Sequence, residues 1–265
     1  MKAPTLILAA FLWAISAPAQ TGSRSAGIPL KVMTYNIHHA NPPSRPGMID
    51  IEAIVRVIKK ESPDLVALQE VDVMTRRSGN IDQAAEIAGK LGMRFFFGKA
   101  IDHDGGEYGV AVLSRYPIND ATVHRLPTDS ATKGEPRVVA AVRVALPGGK
   151  YVRFAATHLD AQGNPLNRRL QVAEINRLAA AEELPFILAG DLNAVPESDA
   201  IRDLEKQFVS TCDSCEPTFP QIDPKKTIDY IAVSKASPYL VKSHRVIGEH
   251  YASDHLPVIA EILFR

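Results

Sequence analysis

Short apolar runs recur along this 265-residue chain, and at six places such a run meets a polar side chain at its end. Tyr35 leads into Asn36, and Leu65-Val66-Ala67-Leu68 leads into Gln69-Glu70. Phe154-Ala155-Ala156-Thr157 leads into His158, and Phe186-Ile187-Leu188-Ala189 into Gly190-Asp191-Leu192-Asn193. Ile228-Asp229-Tyr230 opens another run, and Ser253-Asp254-His255 precedes the last. An unbroken apolar run of roughly four to eight residues fits a strand covered on both faces. Polar side chains are then driven to the strand ends, along one rim of a sheet, where α/β proteins hold their sites.

Segments of helical period lie between these runs. Ile51, Ile54, Val55 and Ile58 recur on one helical face and predict a helix that Pro63 stops. The same patterns predict strands over 31–35, 64–69, 94–97, 108–114, 138–146, 151–158, 186–189, 228–233, 241–246 and 258–264. Helices are predicted over 81–91, 165–181 and 198–207, and Pro147-Gly148-Gly149 marks a hairpin turn. Strands and helices interleave with no linker or low-complexity block between them. Residues 31–265 therefore read as one α/β domain with two sheets.

Residues 1–19 read as a signal peptide, with Lys2, an apolar run of ten over 6–15, and Ala17-Pro18-Ala19 as the cleavage site. Residues 20–30 follow as a Gly/Ser/Pro-rich leader. The apolar run falls well short of the roughly 20 residues that span a bilayer. The expectation is an exported monomer, periplasmic or extracellular, without a membrane span. Thirty Lys plus Arg balance thirty Asp plus Glu, and cleavage after Ala19 removes one cation to leave a net charge of −1. Such a balance excludes nucleic-acid binding by bulk charge but leaves room for a local basic cleft. Cys212 and Cys215 are too few for a structural zinc site, so in an oxidising compartment they read as a tight disulfide, or else a redox-active pair.

Taken singly, Asn36 reads as a turn residue, Asp191 and Asn193 as a helix-entry cap, and His158 as an ordinary core or surface histidine. Taken together and in order, Asn36, Gln69-Glu70, Thr157-His158, Gly190-Asp191-Leu192-Asn193, Ile228-Asp229-Tyr230 and Ser253-Asp254-His255 resemble the endonuclease/exonuclease/phosphatase superfamily. That superfamily includes deoxyribonuclease I-like nucleases, abasic-site endonucleases, bacterial sphingomyelinases and inositol polyphosphate 5-phosphatases. Residues 108–117 are similar to its strand beside the site, and the resemblance runs from about residue 31 to 264. It implies a four-layer α/β sandwich of the deoxyribonuclease I-like kind, with two central mixed β-sheets flanked by helices and the active site at one end.

The chemistry of phosphoester cleavage accounts for these residue types. A nucleophile must approach an anion and an alkoxide must leave, and a divalent metal neutralises both charges. Mg²⁺, with Mn²⁺ as a substitute, prefers oxygen ligands and keeps several waters. The resemblance implies Glu70 as the first metal ligand, with Asn36 assisting and Asp254 as a third. It implies that Asp191 orients or deprotonates the attacking water and that Asn193 holds a phosphoryl oxygen. By the same resemblance His255 would be fixed by Asp229 and act on the phosphate or water, since a carboxylate on one imidazole nitrogen sets the tautomer and raises basicity at the other. His158 would donate to a non-bridging oxygen, with Glu107 as its candidate partner. Arg137 supplies a further anion contact or a surface salt bridge. His38 and His39 line the rim or stay solvated, and Arg76 and Arg77 meet a phosphate backbone or a solvated loop.

The expected activity is hydrolysis of a phosphodiester or phosphomonoester by in-line attack of water. A secreted nuclease, a sphingomyelinase-like lipid phosphodiesterase and an inactive binding protein on the same fold stand as alternatives. The region after residue 19 lacks Trp and any aromatic-rich hairpin, which argues against a lipid interface. The substrate class thus spans small molecules, nucleic acid and lipid headgroups. Neither G-x-S-x-G nor the P-loop pattern occurs. Mass spectrometry of the exported protein should find Gln20 at the N-terminus and a mass lighter by two hydrogens across Cys212 and Cys215; free-thiol labelling of native protein would contradict the bridge.

Overall fold

A computed structural model describes Met1 and residues 27–264. Residues 2–26, which hold nearly all of the predicted signal peptide and leader, lie outside the described residues. The first strand, β1 (Ile28–Asn36), is followed by α1 (Ile51–Glu61), β2 (Leu65–Val73), α2 (Gln83–Leu91), β3 (Arg94–His103), β4 (Gly106–Ser114) and β5 (Ile118–Arg125). The chain continues through β6 (Val138–Ala145), β7 (Tyr151–His158), α3 (Leu166–Ala181), β8 (Phe186–Asp191), α4 (Asp199–Leu204) and β9 (Phe208–Ser210). It closes with β10 (Asp229–Ser234), β11 (Tyr239–Val246) and β12 (Val258–Phe264).

These strands form two six-stranded mixed sheets, ordered β11-β12-β1-β2-β4-β3 and β5-β6-β7-β8-β10-β9. In each sheet the two central strands, β1 with β2 and β7 with β8, are parallel, and the remaining neighbours are antiparallel. A parallel pair needs a long crossover, and α1 and α3 supply the two required here.

Three apolar clusters divide the structure into four layers. Leu30, Val32, Leu65, Ala67, Phe154, Ala156, Ile187 and Ala189 pack between the sheets. The alternate residues of the same strands face outward: Met33, Tyr35, Val66 and Leu68 meet α1 and α2, while Ala155, Leu188 and Tyr230 meet α3 and α4. Successive side chains of a strand point to opposite faces, so strands buried on both faces read as continuous apolar runs. The four-layer sandwich implied by the family resemblance is the observed architecture.

Local chemistry sets the helix limits. Asp50 accepts from the Ala53 N–H at 2.9 Å to cap α1, and Asp82 accepts from the Ala85 N–H at 3.0 Å to cap α2. The second helix therefore begins at Gln83 rather than at residue 81, and it stops at Gly92 with φ +64°. Two strands carry no apolar run to announce them. The edge strand β5 is mostly exposed, and β9 has only three residues. Strand β1 begins at Ile28, inside the predicted leader, because Leu30 fills a place in the inter-sheet core.

Beyond residue 70, β2 is fastened by a buried carboxylate. Asp72 accepts from Thr75 Oγ1 at 2.8 Å, from Ser78 Oγ, and from Arg77 Nε and Nη2 at 2.7 and 2.8 Å. Gln83 then ties three segments together: its Oε1 accepts from the Asp72 N–H at 3.0 Å and its Nε2 donates to the His39 carbonyl at 2.7 Å. Burial alone would raise the Asp72 pKa, but the Arg77, Ser78 and Thr75 donors overcome it and hold the carboxyl below its ordinary value. A depressed folded-state pKa contributes stability above the unfolded-state value and loses it as pH falls through the folded one. Asp72→Asn should therefore cost about 1–3 kcal/mol at neutral pH by urea denaturation, the deficit shrinking in acid; equal stability of the two proteins at neutral pH would contradict this account.

Candidate active site

Strand register brings the polar strand ends together. Asn36 lies beside Gln69 in the parallel pairing of β1 and β2, and His158 beside Asp191 in that of β7 and β8. Antiparallel β10 places Asp229 directly opposite Asp191. The carboxyl ends of all four parallel strands thus open on one end of the sandwich. Gly190 makes the β7–β8 contact feasible, since a Cβ there would run into the Thr157 carbonyl oxygen. Glu70 sits where β2 slips register against β4, with φ +55°. That bulge turns its side chain out of the strand's regular alternation.

Asn36 is the hub. Its fully buried amide nitrogen donates to Glu70 Oε1 at 3.1 Å and to Asp191 Oδ2 at 3.1 Å, and lies 3.5 Å from His255 Nε2. Its Oδ1 accepts from the His38 N–H at 3.1 Å, which fixes the amide orientation. Asn36 thereby braces the acids with its nitrogen, and its oxygen keeps one further lone pair. Burial by itself would raise the Glu70 pKa, but the His39 imidazole and the Asn36 amide outweigh it and hold the carboxyl ionised well below its usual range.

Asp229 and His255 form a buried pair, with Oδ2 3.0 Å from Nδ1. Thr218 Oγ1 donates to the same Oδ2 at 2.6 Å, and Phe219 packs on the His255 ring with centroids 4.8 Å apart. Burial opposes a charge on His255, but Asp229, followed by Asp191 and Asp254, outweighs it and pushes the pKa up to about 10. Burial and the facing charge of Asp229 push Asp191 up as well. Its Oδ2 is 3.7 Å from His255 Nε2 and 3.4 Å from His158 Nε2, and its Oδ1 accepts from the Asn193 N–H at 2.9 Å.

His158 is neutral, because burial, reinforced by the charge of Arg137, pushes its pKa well down. Its Nδ1 is buried with no hydrogen-bond partner among the described residues. Glu107 is not that partner, contrary to the expectation from sequence: it pairs with Lys99 at 2.9 Å, since the β3–β4 register carries it toward the hairpin end. Arg137 is buried, with Nη1 3.0 Å from Glu135 Oε1, and shares a small void with Tyr108 and His158. Asn193, at φ +47°, donates from Nδ2 to the Leu159 carbonyl at 3.0 Å, which leaves its second amide hydrogen for another acceptor.

At the rim, His39 Nδ1 is buried without a hydrogen-bond partner among the described residues, 3.9 Å from Glu70 Oε2. His38 Nδ1 lies 2.9 Å from the Asn41 carbonyl and 4.0 Å from Asp254 Oδ1. Among the described residues, two donor groups are tight enough to share a cation: His38, His39 and Glu70, and Asp191, Asp229 and His255, each with ligand atoms within 4.8 Å of one another. Asp254 stands outside both. Arg76 and Arg77 do not face the cleft as free cations; Arg76 pairs with Asp104 at 2.8 Å and Arg77 with Asp72.

Sequence reasoning passed over Thr218, Phe219 and Gln83. Thr218 lies eleven residues before the acid it holds, so only folding the loop back onto β10 reveals the contact. Gln83 reads as the first residue of an amphipathic helix. Cys212 and Cys215 form a disulfide, with Cα atoms 5.2 Å apart. Among the described residues, no helix is long and apolar enough to cross a membrane.

The sequence profile described as the Endonuclease/Exonuclease/phosphatase family matches residues 33–255. The uncharacterised Escherichia coli (strain K12) protein YbhP is 28% identical over 249 residues, covering 88% of this chain and 95% of YbhP. A crystal structure of an endonuclease/exonuclease/phosphatase from Beutenbergia cavernae superposes with a TM-score of 0.72 at 26% identity, over 89% of this chain and 72% of that one. The mannosyl-6-phosphatase Bt3783 of Bacteroides thetaiotaomicron has the same fold, with a TM-score of 0.71 at 20% identity over 89% of this chain and all of that one. The β7–β8 contact has a direct test: Gly190→Ala should cost about 1–3 kcal/mol by denaturant unfolding because the strands must part, whereas an unchanged midpoint would contradict the close approach.

Proposed function

The chain belongs to the endonuclease/exonuclease/phosphatase family, and on that premise we propose that it is a divalent-cation-dependent phosphoesterase that cleaves by in-line attack of water. Members of the family are hydrolases of phosphoester bonds. The observation that carries the reading is the convergence of Glu70, Asn36, Asp191 and the Asp229–His255 pair within one hydrogen-bonded cluster.

The donors fit a hard cation. Glu70 is ionised, it shares the Asn36 amide nitrogen with the Asp191 carboxylate, no thiol lies in the group, and His39 Nδ1 faces it 3.9 Å from Oε2. Glu70 would anchor such a cation, with His38 and His39 close enough to share it; the resemblance adds Asn36, whose oxygen here accepts from the His38 N–H while its nitrogen meets the acids, and Asp254, which lies at the rim 4.0 Å from His38. When bound there, the cation neutralises phosphoryl charge and acidifies water.

The remaining steps belong to the side chains. Asp191, its pKa raised by burial and by Asp229, accepts a proton from the attacking water near neutrality. Asn36 and the Asn193 N–H hold its two oxygens, so the carboxylate is oriented before the substrate arrives. The Asn193 amide hydrogen left free binds a phosphoryl oxygen. Protonated His255, held by Asp229, and neutral His158 present hydrogen-bond donors to the non-bridging oxygens, where negative charge grows in the transition state. Arg137, paired with Glu135, packs beside His158 and backs that wall.

The N-terminal pattern over 1–19 and the Cys212–Cys215 disulfide support export to an oxidising compartment. A small soluble phosphoester accords with the near-neutral charge and with the activity named for the Bacteroides relative of the same fold. Purified protein should hydrolyse bis(p-nitrophenyl) phosphate with Mg²⁺ or Mn²⁺ and stop on adding EDTA, and Asp191→Asn should lower kcat by about two to four orders of magnitude. EDTA-resistant turnover, or near-normal turnover by Asp191→Asn, would remove the corresponding assignment.

A further inference from the structure

A groove of about 340 Å³ opens from the active site along the loops that follow β7, β8 and Thr218. His255 and Asn193 form its inner end, Phe219 packs against His255 on one wall, and Arg168, Lys226 and Gln162 line it farther out. Among the described residues, no carboxylate lines it. This sets it apart from the cleft itself, where Glu70, Asp191, Asp229 and Asp254 gather.

The two cations are unlike their neighbours in the chain. Arg169 pairs with Asp203 at 3.0 Å and Lys225 with Asp223 at 2.6 Å, whereas Arg168 and Lys226 have no carboxylate partner among the described residues. Arg168 is half-buried and held in place by backbone, its Nη1 donating to the carbonyls of Asp160 at 2.9 Å and of Gln162. Fixing a guanidinium in this way, without neutralising it, leaves a preorganised fork for an anion. A second cavity, of about 220 Å³ beside β5, makes the contrast: its arginine, Arg153, is closed off by Glu182 at 2.6 Å and Asp120 at 2.9 Å.

We infer that the substrate is a small molecule with two anionic groups: the phosphoester that is cleaved at His255 and Asp191, and a second phosphate or carboxylate held between Arg168 and Lys226. The inference rests on the phosphoesterase reading for the first group and adds the second. The volume supports a small molecule, lying at the lower end of the roughly 300–1,000 Å³ typical of such sites. A polymer would extend past the groove, where the net charge of the chain offers no attraction.

Alkane-α,ω-bisphosphonates test this, because their P–C bonds are not esters and survive the enzyme in the presence of Mg²⁺. By calorimetry, at least one chain length from propane to hexane should bind about tenfold more tightly than ethylphosphonate, since a net charged hydrogen bond is worth roughly 1.5–3 kcal/mol. In Arg168→Gln and in Lys226→Gln the ratio of bisphosphonate to monophosphonate affinity should fall toward one. Lys226 is exposed, so that variant keeps the test independent of folding. Equal affinity of the two ligand classes in the natural protein, or an unchanged ratio in both variants, would overturn the second-anion site. A single-stranded oligonucleotide that binds more tightly than any bisphosphonate and loses affinity in the same variants would overturn the small-molecule assignment. If neither bis(p-nitrophenyl) phosphate nor p-nitrophenyl phosphate is hydrolysed while the bisphosphonate ratio holds, the phosphoesterase reading fails and the anion site stands.

Discussion

The central strands of both sheets are buried on both faces, and the rest of the structure follows from that constraint. A polar side chain in the middle of β1, β2, β7 or β8 would face either the inter-sheet core or a helix layer, with no water to satisfy it. The ends of the strands are the places where such groups are affordable. Because the central pairs are parallel, their carboxyl ends lie on the same side, and Asn36, His158 and Asp191 emerge together. The antiparallel β10 contributes its first residue, Asp229, to the same end.

Concentrating acids this way raises an electrostatic problem that the neighbouring groups resolve unequally. Glu70 is kept ionised by donors on its own rim, whereas Asp191, deeper and facing Asp229, is pushed toward its neutral form. His255 carries the compensating proton. Environments that drive titratable groups apart are what acid–base chemistry at one site requires. The Asn36 amide bridges the two sheets at this point, linking Glu70 on one with Asp191 on the other. Its position couples the packing of the sandwich to the geometry of the cleft.

The supporting contacts are less regular and come from loops and from the first residue of α2. Thr218 aims Asp229, Phe219 backs His255, and Gln83 fastens β2 to the His38–His39 turn. The loop that carries Phe219 also frames the Arg168–Lys226 groove, so a part that varies easily in a fold lies where a substrate would be distinguished.

The sequence by itself determined the interleaving of buried strands and amphipathic helices and the polar residues at the strand ends, while the four layers came from the family resemblance those residues carry. Doubly buried strands leave continuous apolar runs, amphipathic helices leave a period, and the polar residues that interrupt each run mark its end. It did not reveal β5, whose exposed edge carries no such run, nor the true partner of Glu107, because strand register sets which side chains meet. Nor did it reveal that Asn36 presents nitrogen to the acids, that His39 sits unpartnered beside Glu70, or that Arg168 is fixed yet unpaired. Those facts depend on contacts between residues far apart in the chain, and only the tertiary structure decided them.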